Sequence, residues 1–265
     1  MSLREFIPES PPAERSLVLL NGAAPAPVRA MLGDLFADQP VSFETADLPE
    51  RGGDSVLLVE EGEVIATSPL SAVQDAILLV NSDLFITGTR SLEEIEVPDV
   101  IAGLVDSPFS LRGYPESNAE KLLLILVSRF VERRASVTGS GTIRTSFQRL
   151  SRLEDEQGTR TVYEKLAKSD VDVHVYGQPD WIPSRELDVI THTGRDENFE
   201  RAWFVLFEPD STSSRAGAGA EIPVADEPEP IGLLAYETEP REWAGFYTTD
   251  PERVGAVAEH IARVM

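Results

Sequence analysis

The last third of the chain constrains the fold most, because three strand-like segments there lead directly into one capped helix. The segments span residues 202–207, 231–237 and 242–248, and each is apolar and carries aromatic side chains. Asp250 and Pro251 then occupy an N-cap and a first helical position. The following residues place an apolar stripe on one helix face: Val254, Val257, Ile261 and Val264. This pattern predicts an antiparallel platform with a helix packed on it. A platform without a catalytic motif favours binding or sensing.

The rest of the chain predicts two parts of α+β character. Residues 1–97 indicate a small α/β N-terminal domain, and residues 98–265 a C-terminal domain whose sheet has four to five mostly antiparallel strands packed by helices. Gly62 after Glu60 and Glu61 suits a tight hairpin turn. The stretch 209–230 is rich in Ser, Gly, Pro and acidic residues, which predicts a mobile loop. The other predicted strands cover 16–20, 41–45, 55–59, 63–67, 84–87, 142–147 and 171–176, and the other predicted helices 27–36, 70–80, 117–135 and 161–168.

The charge of the chain restricts its partners. Its 46 acidic against 23 basic residues give a net charge of −23, and only three of the basic residues are lysines. Such a surface repels nucleic acid phosphates and anionic lipid headgroups, so neither a nucleic acid nor a membrane is an expected partner. Because the acidity is spread over both halves, the composition predicts a protein adapted to a cytosol of very high salt. The basic cluster Arg129, Arg133 and Arg134 is expected to balance carboxylates.

The compartment and the available chemistry follow from what the sequence lacks. It contains no cysteine, which excludes disulfides, thiolate catalysis and Cys-ligated metals. The first residues lack the basic start and apolar run of a signal peptide, and the longest apolar runs are too short to span a bilayer. The expected localisation is cytoplasmic.

No catalytic or metal-binding motif is present in the sequence. The glycines at 139 and 141 lack the remainder of a nucleotide-binding loop and are typical of a helix terminator. His174, His192 and His260 have no partners at metal-ligand spacing. We therefore predict no catalytic residue and no metal ligand, and the sequence identifies no cofactor.

Strand alternation does indicate candidate ligand-binding residues. It places Arg144 on the polar face of one strand, His174 and Tyr176 on that of another, and Trp243 and Tyr247 on one face of a third. If these faces converge, they form a cleft in which the guanidinium holds an anionic group and the aromatic rings stack on a planar ligand. The alternative is that they are separate solvent faces or that the aromatic residues belong to the core.

The second half of the sequence resembles the DICT sensory domain family over residues 128–265. The matching segments occur in the family's order and include Ser128 to Ala135, Gly139 to Thr142, Val171 to Gly177 and Gly245 to Pro251. The stretch 81–90 also resembles stand-alone haloarchaeal members. Its most marked family positions, whose roles can be entirely structural, are Glu132, Phe147, Gln148, Trp203, Glu237, Gly245, Phe246 and Thr248.

The resemblance implies a non-enzymatic sensory or regulatory module in signal transduction, with a suggested link to light responses. No ligand or catalytic residue is established for the family. The resemblance implies that the module signals through a protein partner. A small-molecule ligand and a homo-oligomer are both compatible with such a module. Two alternatives stay open: an enzyme for a small polar substrate using Arg144, His174 and Glu237, and a protein–protein adaptor that docks a partner through the 209–230 loop.

Overall fold

The computed structural model describes residues 2–9, 13–20, 29–30, 32–33, 39–46, 54–81, 97–112, 119–155, 157–184, 186–210 and 229–265. The predicted strand at 84–87 lies outside these residues. So do most of the predicted helix at 27–36 and nearly all of the predicted loop at 209–230.

A four-stranded sheet is formed by the first part of the chain. Its strand order is β2-β1-β3-β4, with β1 and β2 parallel and the other pairs antiparallel. The β3–β4 hairpin turns at Glu61 and Gly62, whose φ angles are 49° and 87°, as the sequence predicted. The helix α1 follows directly. The elements are β1 (Arg15–Leu20), β2 (Val41–Ala46), β3 (Ser55–Glu60), β4 (Glu63–Pro69) and α1 (Leu70–Asn81).

A second, larger sheet of seven strands is formed by the described residues from 109 onwards. Its strand order is β5-β11-β10-β9-β6-β7-β8. The strand pairs β5–β11, β11–β10, β10–β9 and β9–β6 are antiparallel, whereas β6, β7 and β8 run parallel to one another. The strands are β5 (Phe109–Arg112), β6 (Ser140–Arg149), β7 (Asp170–Gln178), β8 (Ile190–Thr193), β9 (Ala202–Glu208), β10 (Ile231–Glu239) and β11 (Glu242–Thr248).

The α+β class is confirmed, but the predicted sheet of four to five mostly antiparallel strands is wrong. The sheet is mixed and has two further strands, β5 and β8, at its two edges. Each contains only four residues, which is too short for an alternation pattern to be read. The parallel pairing of β6 with β7 depends on the intervening helices, so adjacent segments of sequence do not reveal it.

Helices cover both faces of the larger sheet. One face packs against α3 and α5, and the other against α6, α7 and a short 3-10 helix at Leu3–Phe6. A core cluster also joins the two sheets, since it contains Leu19 and Leu58 together with Leu111 and Leu124. The division at residue 97 stays a prediction. The helices are α2 (Asp99–Ala102), α3 (Ala119–Thr138), α4 (Arg152–Asp155), α5 (Gln157–Leu166), α6 (Glu197–Arg201) and α7 (Pro251–Val264).

The C-terminal helix begins as the sequence predicted. The Asp250 carboxylate accepts a hydrogen bond from the Glu252 amide at 2.9 Å, and Pro251 is the first helical residue. Val254, Val257 and Ile261 of the predicted stripe are buried. Val264 is 39% exposed, so the prediction that it belongs to the buried stripe is wrong.

Gly245 of β11 allows a close approach that a larger residue would block. A Cβ atom there would lie 2.7 Å from the Phe109 ring and 2.8 Å from the Ala235 Cβ. We expect Gly245→Ala to lower the free energy of unfolding by about 1–3 kcal/mol through overpacking, measured by urea denaturation. Gly255→Ala is the control, since nothing lies within 4 Å of its Cβ position in α7 and alanine favours helix. Equal effects of the two substitutions would contradict this account.

Candidate ligand-binding face

The five predicted ligand-binding residues lie on opposite faces of the larger sheet. Trp243 and Tyr247 of β11 belong to the core cluster beneath α3. Arg144 of β6 and His174 and Tyr176 of β7 are on the other face. The prediction of one cleft lined by all five is therefore wrong. Alternation determines which residues share a strand face, but strand register and helix packing decide which face is covered.

Trp243 and Tyr247 are part of the hydrophobic core. Both are buried, and the Trp243 ring contacts the Trp203 ring edge-on with 6.2 Å between centroids. The Tyr247 hydroxyl donates to the carbonyl of Ala102 at 2.9 Å and also contacts that of Ile101. Burial raises the pKa of Tyr247 far above its ordinary value. These residues attach β11 to α2 and α3 and offer no open surface for stacking a ligand.

A pair of histidines is the central feature of the opposite face. The Nδ1 atom of His174 lies 2.9 Å from the Nε2 atom of His192, with the two rings nearly parallel. The His192 ring also stacks on Tyr176, with 4.3 Å between centroids and 8° between planes. The pair arises because β8 runs parallel to β7 and places His192 opposite Tyr176, two residues from His174. The sequence shows no partner for His192, because this register cannot be read from the short Ile-Thr-His-Thr segment.

Arg144 lies beside the histidine pair without full hydrogen bonding. It is opposite His174 on one side and Leu206 on the other. Its Nη1 atom is 3.8 Å from the Glu208 carboxylate, too long for a hydrogen bond. Among the described residues, its buried Nε and Nη1 atoms have no hydrogen-bond acceptor. An unsatisfied buried donor is costly, so this guanidinium favours an additional acceptor.

The electrostatics of this group follow from burial and from the Arg144 charge. Burial and Arg144 both lower the pKa values of His174 and His192, so the neutral form of each imidazole predominates at pH 7. Burial raises the pKa of Glu208, and Arg144 opposes that rise. Burial likewise raises the pKa of Tyr176. We call these five residues, Arg144, His174, Tyr176, His192 and Glu208, the Arg144 cluster.

Glu132 and Phe147, two of the positions that resemble the DICT family, belong to a network that joins α3 to α5 and β6. Glu132 is 3% exposed, and its carboxylate is 2.5 Å from the guanidinium of Arg129. It also accepts a hydrogen bond from the Tyr163 hydroxyl at 3.0 Å. Phe147 packs edge-on against the Tyr163 ring at 5.1 Å. Arg129 is therefore part of the protein interior, not of a basic surface.

The other positions that resemble the DICT family also have structural contacts. Gln148 has a φ of 60° and donates to the Glu200 carbonyl at 2.8 Å, and the Trp203 indole donates to Ser128 at 3.0 Å. Phe246 and Thr248 are both buried. The Glu237 carboxylate accepts from the Arg241 amide at 2.8 Å, in the turn between β10 and β11. Glu237 thus does not join Arg144 and His174, and the enzyme site that required all three is not formed.

Two surface cavities lie away from the Arg144 cluster. One of about 500 Å³ lies between α5 and the segment after β7, next to Arg160, Lys168 and Trp181. The other, of about 690 Å³, lies near Arg4 and Phe109.

Within the described part of the chain, no three His, Asp or Glu side chains are grouped to hold a metal ion. No helix among these residues combines the length and apolarity needed to cross a bilayer.

Comparison with known proteins identifies no family for the chain. No family model and no curated protein matches it. Among solved structures, it is similar to the crystal structure of polyphosphate kinase from Porphyromonas gingivalis, with a TM-score of 0.38 and 16% sequence identity. The similarity covers 65% of this chain and 26% of that one, so the chain spans about a quarter of the kinase's length. At this TM-score the similarity carries no functional argument.

Proposed function

We propose that this protein is a non-enzymatic sensory or regulatory module that binds a small anionic ligand at the Arg144 cluster. The observation that carries the proposal is the Arg144 guanidinium, whose buried Nε and Nη1 atoms have no acceptor in the described structure. Two neutral imidazoles next to it add hydrogen-bonding groups of both kinds. An anion would supply acceptors to Arg144 at the half-buried surface of the sheet.

The surroundings of the cluster suit a sensor. Arg144, His174 and Tyr176 lie on β6 and β7, each of which pairs with a neighbouring strand on both sides in the seven-stranded sheet. His192 lies on β8, a strand that pairs only with β7 among the described residues. A ligand that binds both strands would favour one arrangement of this edge. We propose that this signal passes to a protein partner in the cytoplasm, in accord with the resemblance to the DICT family.

Ligand-induced stabilisation tests this proposal. Acetate, sulfate and chloride are titrated at constant ionic strength while the melting temperature is measured. We expect at least one anion to raise the melting temperature of the wild-type protein. At a concentration 100 times its Kd, the anion should add about 2.7 kcal/mol to the free energy of unfolding. Arg144→Gln is expected to abolish this rise.

Arg160→Gln is the matched control for Arg144→Gln. Arg160 lies on the exposed surface of α5, where Glu154 and Glu164 hold it at 2.9 and 2.8 Å. Both substitutions remove one positive charge, so a general effect of charge would appear in both. The proposal is wrong if no anion stabilises the wild-type protein, or if Arg144→Gln responds as Arg160→Gln does.

A further inference from the structure

We propose that the Arg144 cluster binds a compact oxyanion together with one proton, which the His174–His192 pair takes up. This inference rests on the proposed function and names the ligand class and its coupling to pH. It follows from the contact between the two imidazoles and from the charges around them.

The contact between the imidazoles limits how their protons are arranged. At 2.9 Å, one of the two facing nitrogens must donate and the other must accept. The two outer nitrogens, which face away from this contact, are Nε2 of His174 and Nδ1 of His192. In the neutral pair, one of these outer nitrogens is a donor and the other is an acceptor. When one proton is added, the inner hydrogen bond is kept and both outer nitrogens become donors. The protonated pair therefore presents two directional donors, which suit an oxyanion with several acceptor oxygens.

Charge balance couples this proton to the anion. Without a ligand, the positive Arg144 is balanced by Glu208, and the neutral imidazoles add no charge. A proton on the pair would then face Arg144 without compensation. A bound monoanion balances that proton, so the sum of these charges is unchanged. Tyr176 is neutral, and Asp172, at the exposed end of the same strand face, is the further group that favours protonation of His174.

The direction of the pH dependence follows from the pKa values. Burial and Arg144 hold both histidine pKa values below the ordinary 6.5. A bound anion offsets the Arg144 charge and raises the pKa of the pair, so protons are taken up on binding. Binding should then weaken as the pH rises through the pKa of the complex, by up to about tenfold per pH unit for one proton.

Isothermal titration calorimetry measures this uptake directly. Acetate and sulfate are used because their own charge is constant between about pH 6 and 8. Titrations at one pH in buffers of different ionisation enthalpy give the number of protons taken up by the protein on binding. We expect a positive uptake of up to one proton with the wild-type protein, and an affinity that falls as the pH rises.

Histidine variants locate the proton. The double variant His174→Gln/His192→Gln keeps two hydrogen-bonding side chains, neither of which can be protonated, so we expect anion binding without proton uptake. His260→Gln changes a histidine of α7 that lies against Phe6, outside the cluster, and should leave the uptake unchanged. The melting temperature of each variant reports whether it is folded. If the double variant does not fold, the wild-type buffer series still decides whether a proton is taken up.

The outcomes separate this inference from the proposed function. Anion binding that requires Arg144 but takes up no proton overturns the coupling and leaves the proposed function standing. Undiminished uptake in the double variant also overturns it, because the proton then goes to a group outside the pair. If neither acetate nor sulfate binds, the inference is wrong. If chloride also fails to stabilise the protein, the proposed function is wrong too.

Discussion

Glu132→Ala is expected to lower the free energy of unfolding by about 3–5 kcal/mol, the cost of removing one partner of a buried ion pair. The Glu132 carboxylate compensates the Arg129 guanidinium inside the protein, and the two side chains are only 4% and 9% exposed. The substitution would leave that charge buried and would deprive the Tyr163 hydroxyl of its acceptor. Urea denaturation followed by circular dichroism measures the loss.

A surface pair provides the control for this prediction. Glu154 and Arg160 form an ion pair of similar length, 2.9 Å, but their side chains are 44% and 45% exposed. Glu154→Ala should therefore cost less than about 1 kcal/mol. Replacing Arg129 and Glu132 together by Met and Leu should cost much less than Glu132→Ala, because no charge remains buried. If Glu132→Ala costs no more than Glu154→Ala, the network does not stabilise the fold as described.

A marked rise in melting temperature between tens of millimolar and molar KCl is the second large effect that we expect. The chain carries a net charge of −23, and self-repulsion of this size destabilises a compact state when ions are dilute. The Debye length shrinks from roughly 30 Å at 0.01 M to 3 Å at 1 M, which screens that repulsion. Differential scanning calorimetry over a KCl series checks this.

Arg144→Gln separates screening from specific anion binding in the salt experiment. General screening acts on the whole surface, so the variant should keep most of the rise. A chloride ion bound at the Arg144 cluster would add a saturable contribution that the variant lacks. A melting temperature that is flat across the KCl range would refute the interpretation of the composition as an adaptation to high salt.

Local patterns in the sequence predicted helices and strands well where the apolar pattern continued over many residues. The segment 242–248 coincides with β11, and the helix after Asp250 coincides with α7. The antiparallel pairing of β9, β10 and β11 is confirmed as well. The prediction was wrong for the edges of the sheet, because β5 and β8 are short strands that exist through pairing with their neighbours.

Alternation along single strands predicted only part of the candidate site. Arg144, His174 and Tyr176 were singled out by alternation, and the structure does group them on one face. Trp243 and Tyr247 were grouped with them wrongly, because the register of β11 against β10 turns their rings toward α3. His192 and Glu208 were missed, since a parallel edge strand and the end of β9 bring them there from distant parts of the chain.

By itself, the sequence determined the α+β class, the net charge and the positions of most helices and strands. These properties depend on composition and on apolar periods of 2 or 3.6 residues, which neighbouring residues define. The tertiary structure alone decided that the larger sheet is mixed, that aromatic residues of β11 are core, and that Arg144 lies beside a histidine pair. These depend on strand register and on which face the helices cover, and both are set by contacts between residues far apart in the chain.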